Sequence, residues 1–161
     1  MIRKMAEDEV KFNLAISLHS AINETRSRLM PINEVNPLED LAEALSFWYS
    51  RTKRKVTYEY VIWEGINDDE RHAKALAKFC KIIPSKVNLI QYNPIDEGEF
   101  RQASQEAVDL YLRVLEGQGI IAKVRKSRGQ DIDAACGQLA NKNEVAQLQP
   151  SENKNNPTEQ P

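Results

Sequence analysis

The stretch that decides the fold is Val56–Trp63 (VTYEYVIW), followed by the turn Gly65–Asp68 (GIND). Val56–Trp63 is rich in Val, Ile, Tyr and Trp, which is the composition of a β-strand. Asn67 and Glu70 are expected to open a helix after the turn. The apolar residues of that helix recur at three-and-four spacing on one face: Ala73, Leu76, Ala77, Cys80 and Ile83. A strand that leads into an amphipathic helix is the repeating unit of parallel α/β proteins.

The same unit occurs upstream of this stretch. The short apolar run Phe12–Leu18 predicts a buried strand, and the polar segment after it predicts a loop as far as Pro31. Asn36, Pro37 and Glu39 predict a helix start, because Asn can cap, Pro suits the first helical position and Glu completes a capping box. The apolar face of this helix consists of Leu38, Leu41, Ala42, Leu45, Trp48 and Tyr49.

The unit also recurs downstream. Lys86–Tyr92 predicts a third strand. Ser104 is expected to cap a third helix, which Gly117 and Gly119 end. Ile120–Val124 predicts a fourth strand. The order is therefore β-α-β-α-β-α-β with connections too long for hairpins, which predicts an α/β fold of about four parallel strands alternating with helices.

Composition limits the classes of function. The chain has 161 residues, which predicts one domain, and its net charge is −2, so any contact with nucleic acid must come from a local basic patch. Two cysteines, Cys80 and Cys136, without an apolar leader do not suggest a disulfide scaffold. No apolar run approaches the ~20 residues of a membrane span. These features predict a cytoplasmic protein without a membrane partner.

Polar stretches follow all four predicted strands: Ser17–His19, Glu64–Asn67, Asn93 and Arg125–Cys136. Parallel strands end at the same edge of a sheet, and the functional groups of α/β proteins lie at that edge. We therefore expect a site built from these four stretches.

The last stretch combines a basic segment with a single thiol. The residues next to Cys136 are small, and four cations precede it: Lys123, Arg125, Lys126 and Arg128. A nearby cation or helix N-terminus favours the thiolate, which is the nucleophilic form of cysteine. From these residues alone, a buried structural cysteine in a short helix is the open alternative.

Five segments, in this order, resemble the radical S-adenosylmethionine (SAM) RNA methyltransferases, which methylate carbon 2 of an adenine in bacterial large-subunit ribosomal RNA and in some tRNAs. The segments are Asn13–His19, Arg28–Asn33, Glu59–Val61 with Gly65–Asp68, Lys86–Ile90 with Tyr92–Pro94, and Val124–Gly129 with Asp131–Leu139. The resemblance covers residues 1–141 and implies the C-terminal half of a radical-SAM (β/α) barrel. Residues 142–161 are mostly polar residues and Pro without periodicity, and they predict a disordered tail.

The resemblance implies a mechanism that uses two molecules of SAM. One methylates a cysteine, by position Cys136, to give an S-methylcysteine intermediate. The other is cleaved reductively at a 4Fe-4S cluster, with an electron donor such as flavodoxin, and the resulting 5′-deoxyadenosyl radical takes a hydrogen atom from the S-methyl group. The carbon radical adds to the adenine, and a second cysteine helps to release the adduct. Ribosomal RNA and some tRNAs would be the partners.

The resemblance also assigns SAM contacts to Ser17, Leu18, His19 and Asn93. Candidates for contacts with RNA phosphates are Arg26, Arg28, Arg125, Lys126 and Arg128. From the residues alone, His19 could be structural, Asn93 could be a turn residue, and the cations could form a solvated basic loop. Cys80 lies on an apolar helix face and is expected in the core. His72 predicts a surface or core position, and Glu59 is left unassigned.

The chain departs from the family pattern in its cysteines. It lacks the CxxxCxxC motif that holds the cluster, Cys80 and Cys136 cannot replace that motif, and no metal site is expected here. The family's second cysteine is also missing, and Ile95–Phe100 differs from the family's Pro/Gly-rich loop.

We expect the chain to be the C-terminal part of a larger protein, because its first strand would otherwise be an unpaired apolar edge. Without the cluster motif, the chain alone is expected to be inactive. One alternative is a non-catalytic protein that binds RNA or a partner protein through the basic loop. Another is a relative that methylates a different adenine carbon.

Overall fold

The structure, a computed structural model, describes residues 1–93 and 100–128, with the backbone alone at residues 93, 127 and 128. Strands and helices alternate along the chain. In order, the elements are α1 (Ile2–Glu7), β1 (Leu14–Ser17), α2 (Asn23–Leu29), α3 (Ile32–Val35), α4 (Leu38–Thr52), β2 (Val56–Ile62), α5 (Glu70–Cys80), β3 (Ser85–Asn93), α6 (Gln105–Gly117) and β4 (Ile121–Arg128).

The strands β1 to β4 form one parallel sheet in the order β1-β2-β3-β4. Ser17 on β1 lies opposite Glu59 on β2. Glu59 lies opposite Asn88 on β3, which in turn lies opposite Lys123 on β4. Residues opposite one another point to the same face, and side chains alternate between the two faces along each strand. The predicted α/β fold with four parallel strands and alternating helices is confirmed.

One face of the sheet, here called the helix face, carries the main core. Tyr58, Tyr60 and Ile62 of β2 are fully buried there, together with Leu76 of α5 and Trp48 of α4. Burial of each such side chain contributes about 1.5–3 kcal/mol to folding. The hydroxyl groups of Tyr60 and Tyr111 lie 2.9 Å apart, so that pair of polar atoms is satisfied inside the core. Most of the apolar surface of the chain is therefore used to attach helices to this face.

The opposite face, here called the second face, is polar in its middle and apolar at the strand ends. Its middle row is Ser17, Glu59, Asn88 and Lys123. Towards the ends of the strands, a smaller cluster is formed by Leu29, Val61, Trp63, Ile90 and Tyr92. Leu29 belongs to α2, so this helix supplies part of the cover over the end of the second face.

The helix starts differ from the predictions at two asparagines. Asn36 does not cap α4, because it ends α3 instead. The N–H of Leu38 donates to Oδ1 of Asn23 at 3.0 Å, so the side chain of Asn23, which belongs to α2, caps α4. Asn67 does not open α5 either, because the N-cap residue is Asp69, whose carboxylate accepts from the N–H of His72. At α6 the predicted cap is present, since Ser104 Oγ accepts from the N–H of Ala107.

Two predicted irregular segments are regular in the structure. The polar segment before Pro31 contains α2, and α3 follows that proline. The basic segment after Val124 is the continuation of β4, which pairs with β3 as far as Arg128. The ladder of backbone hydrogen bonds extends the strand past the point where its apolar composition ends. The predicted tail lies outside the described residues.

Candidate functional site

The ends of β1 and β2 are joined by hydrogen bonds that converge on Asn67. Its Nδ2 donates to the carbonyl oxygens of His19 and Val61, each at 2.8 Å, and its Oδ1 accepts from the N–H of Trp63 at 2.8 Å. The carbonyl of Asn67 accepts from the hydroxyl of Tyr111. Asn67 is fully buried, so these four bonds fix the sheet edge where the site was expected. Sequence analysis placed Asn67 at a helix start and missed this role.

His19 is buried at the same edge, with only 2% of its surface exposed. Its backbone has a left-handed φ of 56°, and its Nδ1 accepts a hydrogen bond from the N–H of Val61 at 3.0 Å. Burial, helped by the charge of Arg26, lowers the pKa of His19 to about 3. A ring that accepts at Nδ1 is neutral and carries its proton on Nε2. His19 therefore has a clear structural role, and its contact with SAM stays a prediction.

Ser17 and Leu18 lie at the end of β1 in different environments. Ser17 is half-buried on the second face, opposite Glu59. Leu18 is fully buried in the main core, its N–H donates to the carbonyl of Glu59, and its carbonyl accepts from Arg26 Nε. Of these two predicted SAM contacts, Ser17 has a side chain on the second face, whereas Leu18 is used by the fold.

Arg26, a predicted RNA phosphate contact, is held inside the fold. Only 5% of it is exposed, and its guanidinium donates to the carbonyls of Leu18 and Ser17 and to Oδ1 of Asn33. Burial lowers the pKa of Arg26. The side chain holds the segment after β1 in place, because a buried guanidinium needs several acceptors. Arg28 of the same helix is exposed.

The cations on β4 are divided between the two faces of the sheet. Arg125 lies opposite Ile90 and so shares the second face with Lys123, whereas Lys126 lies opposite Gln91 and points to the helix face. Lys123, Arg125 and Lys126 are all exposed. Among the described side chains, Arg125 and Lys126 therefore lie on opposite faces of the sheet.

Three of the predicted residues are described only partly or not at all. Asn93 is the last residue of β3 and pairs with Arg128 of β4, and the description of both ends at the backbone. Cys136, the predicted methyl carrier, lies outside the described residues. The strand that leads towards Cys136 ends at the same sheet edge as β3, as predicted from the order of elements.

Glu59 is a polar residue that sequence analysis left unassigned. Its Oε1 accepts a hydrogen bond from Asn88 Nδ2 at 2.9 Å. Its Oε2 is buried without a hydrogen-bond partner among the described residues. The signal in the sequence is a single charge inside the otherwise uncharged strand Val56–Ile62, at a position that alternates onto the second face.

Cys80 and His72 occupy structural positions. Burial raises the pKa of the Cys80 thiol to about 12, so this cysteine is a core residue, as expected, and a poor nucleophile. His72 is buried, with Nε2 at 2.9 Å from Thr25 Oγ1 and Nδ1 at 2.7 Å from Asp69 Oδ1. It connects α2 to the start of α5. Within residues 1–93 and 100–128, no group of three or more His, Cys, Asp or Glu side chains is placed to hold a metal.

None of the described helices has the length and apolar character needed to cross a membrane.

Comparison with known proteins identifies similar chains. No protein-family model matches this chain. The probable dual-specificity RNA methyltransferase RlmN of Flavobacterium johnsoniae is 64% identical over 142 residues, which cover 88% of this chain and 41% of that protein. The protein of the same name from Salinibacter ruber is 48% identical over 147 residues, covering 90% and 40%. The chain thus spans about two fifths of the length of these curated relatives.

Solved structures give the same match at the level of the fold. A radical SAM methyltransferase from Sphaerobacter thermophilus superimposes with a TM-score of 0.74 at 37% identity, covering 85% of this chain and 40% of that one. A domain of a pyruvate-formate lyase-activating enzyme from Bacteroides vulgatus has a TM-score of 0.58 at 19% identity, covering 77% and 72%. The second similarity concerns the fold alone.

Proposed function

We propose that this chain supplies the SAM- and RNA-contacting portion of an enzyme that methylates carbon 2 of an adenine in ribosomal RNA and tRNA. The chain is homologous to part of the radical SAM RNA methyltransferases. The observation that carries the proposal is 64% identity over 142 residues with a relative named as a dual-specificity RNA methyltransferase. Its place of action would be the cytoplasm, where both kinds of RNA are found.

SAM would lie at the edge where the parallel strands end, which is where α/β folds hold their ligands. Ser17 supports this, because it is half-buried on the second face at the end of β1. Asn93 supports it by its position at the end of β3. Leu18 and His19 would contribute by shaping this edge, since their polar groups are bound within the fold.

Cys136 would carry the methyl group. Its thiolate would attack the methyl carbon of SAM, so that a sulfur–carbon bond to Cys136 forms while the bond to the sulfonium breaks and S-adenosylhomocysteine leaves. Support comes from the specific segment around Cys136 and from the contrast with Cys80, whose buried thiol has a pKa raised to about 12. Cys80 would take no part in methyl transfer.

The 4Fe-4S cluster implied by the family does not fit the described residues. Cys80 is the one cysteine among them, and it lies in the core with no further thiol or carboxylate grouped around it. A cluster needs several thiolates at one place. We place its ligands, and the contact with an electron donor such as flavodoxin, in the part of the relatives that this chain does not match.

RNA would be held through local cations, because the net charge of the chain is −2. Arg28 on α2 and the cations of β4 (Arg125, Lys126 and Arg128) are the candidates. Arg26 is omitted, since its guanidinium is buried and bound to acceptors within the chain.

A segment exchange tests the proposal. The matching 142 residues of the Flavobacterium johnsoniae protein would be replaced by those of this chain, and 2-methyladenosine in RNA would be measured by mass spectrometry. We expect the chimera to form it, Cys136→Ala to abolish it, and the matched control Cys80→Ala to keep it. A folded but inactive chimera, or an active Cys136→Ala variant, would contradict the proposal. An inactive chimera whose inserted chain still binds RNA would favour the non-catalytic alternative.

A further inference from the structure

We infer that Glu59 is a ligand-binding residue of the second face, where its carboxylate accepts a hydrogen bond from a donor group of the bound SAM. The inference rests on the proposed function, because it concerns the same cofactor at the same sheet edge. It adds a residue on β2 to the contacts expected from β1 and β3.

The position of Glu59 favours a contact with a ligand. It lies directly opposite Ser17, the half-buried residue at the end of β1. Glu59 as a whole is half-buried on the second face, although its Oε2 is buried. Among the described residues, the helices that cover the helix face do not cover this row. A molecule held against Ser17 would therefore meet Glu59.

Only one of the two carboxylate oxygens of Glu59 has a hydrogen-bond partner among the described residues. Asn88 Nδ2 donates to Oε1 at 2.9 Å and so fixes the orientation of the carboxylate. Oε2 is buried and has no partner among the described residues. Buried carboxylate oxygens are normally hydrogen-bonded, and one left without a donor destabilises the fold. A donor supplied by a ligand would remove this cost.

The cations of the second face do not satisfy Glu59. Lys123 shares its row but lies two strands away, at roughly 10 Å for a normal strand spacing, and its side chain is exposed. The ion pairs of the described residues do not include Glu59. Among the described residues Oε2 therefore keeps an unfilled acceptor position, which a ligand donor fills once the carboxylate turns towards the second face.

The chemistry of the group limits what it binds. An ionised carboxylate only accepts hydrogen bonds, so its partner must be a hydroxyl or an amino group and not a phosphate or carboxylate. SAM offers donors of this kind in its ribose hydroxyls, its α-amino group and its adenine amino group. Charge-assisted hydrogen bonds of this kind are stronger than neutral ones, which gives Glu59 a measurable share of the affinity.

The test measures binding of S-adenosylhomocysteine to the 161-residue chain and to its Glu59→Gln variant by calorimetry or NMR titration. Gln has nearly the volume of Glu, and its amide oxygen can still accept from Asn88. Its NH₂ group takes the place of Oε2 and cannot accept a hydrogen bond from the ligand. We expect the variant to bind about 10- to 100-fold more weakly. The matched control Glu116→Gln removes the same charge from the exposed end of α6 and should bind as the wild type does. Asn88→Ala, which removes only the orienting bond, should weaken binding less than Glu59→Gln.

A second readout separates ligand binding from a structural role. Because Oε2 has no partner within residues 1–93 and 100–128, Glu59→Gln should leave thermal stability unchanged or raise it, whereas a structural glutamate would lose stability on this change. A destabilised variant with unchanged affinity would overturn the inference. Equal affinity of wild type and Glu59→Gln would overturn it while leaving the proposed function intact. A wild-type chain that does not bind the nucleoside at all would overturn both the inference and the SAM site of the proposed function.

The class of donor is identified with 5′-methylthioadenosine, which keeps the ribose and the adenine amino group and lacks the α-amino group. A similar loss of affinity for this compound in Glu59→Gln assigns the bond to a ribose hydroxyl or to the adenine amino group. A loss confined to S-adenosylhomocysteine assigns it to the α-amino group. Either result supports Glu59 as the acceptor.

Discussion

The two faces of the sheet differ in how completely their side chains are buried and hydrogen-bonded. On the helix face, Tyr58, Tyr60 and Ile62 are fully buried, and the hydroxyl of Tyr60 is paired with that of Tyr111. On the second face, the register neighbours Glu59 and Asn88 are half-buried, and one oxygen of Glu59 has no described partner. The same strands thus build a core on one side and leave polar groups available on the other. Stability and binding should therefore respond to different sets of mutations.

The largest effect is expected on the helix face. Trp48→Ala should reduce the free energy of unfolding by about 3–5 kcal/mol, because it opens a cavity where a fully buried aromatic side chain had been. The matched control is Ile121→Ala on the second face, where 59% of the side chain is exposed, and its cost should stay below about 0.5 kcal/mol. Urea unfolding measures both. Similar losses for the two variants would break the contrast between the faces.

A mutation at the sheet edge where β1 and β2 end should reduce the free energy of unfolding nearly as much. Asn67→Ala should cost about 2–4 kcal/mol, because it leaves the N–H of Trp63 and the carbonyls of His19 and Val61 without their buried partner. Asn67→Asp keeps an acceptor for Trp63 but turns a carboxylate oxygen towards two carbonyls, so it should cost at least as much. An Asn67→Asp chain as stable as the wild type would refute this account of the edge.

Acid should weaken the same edge through His19. The pKa of His19 is about 3 in the fold, against about 6.5 in an unfolded chain, so between these values the unfolded state binds more protons. Stability should therefore fall as pH is lowered from 6.5 towards 3, by at most about 1.4 kcal/mol per pH unit from this residue. His19→Asn tolerates the left-handed backbone and should remove this part of the slope. If unfolding at a series of pH values gives the same slope for both chains, His19 is not the buried neutral group inferred here.

The smallest effect concerns RNA and compares the two sides of β4. If RNA lies on the second face, Arg125→Gln should weaken binding of a short RNA by about 1 kcal/mol and reduce the salt dependence by about one ion. Lys126→Gln removes the same charge from the next residue, on the opposite face, and should change both less. Fluorescence anisotropy at several salt concentrations measures the difference. Equal effects would show that RNA does not distinguish the faces.

Sequence analysis succeeded where the determining contacts are local. The order of strands and helices follows from apolar periodicity, and the cap of α6 follows from Ser104 and the N–H three residues later. It failed where a partner comes from far along the chain. The cap of α4 comes from Asn23 on another helix, and the role of Asn67 depends on His19, 48 residues away. Composition predicted that β4 would end at Val124, but pairing with β3 carries it further.

By itself, the sequence determined that this chain is a parallel α/β protein resembling part of an RNA methyltransferase, because short-range patterns of apolar residues, turns and motif segments are sufficient for both. Only the tertiary structure decided that Arg26 is buried and that Arg125 and Lys126 lie on opposite faces. It also decided that Asn88 holds Glu59, one oxygen of which has no partner among the described residues. These properties depend on which strands become neighbours and in which register, and on how many acceptors surround a charge. The packing of the whole sheet, not any local segment, sets those quantities.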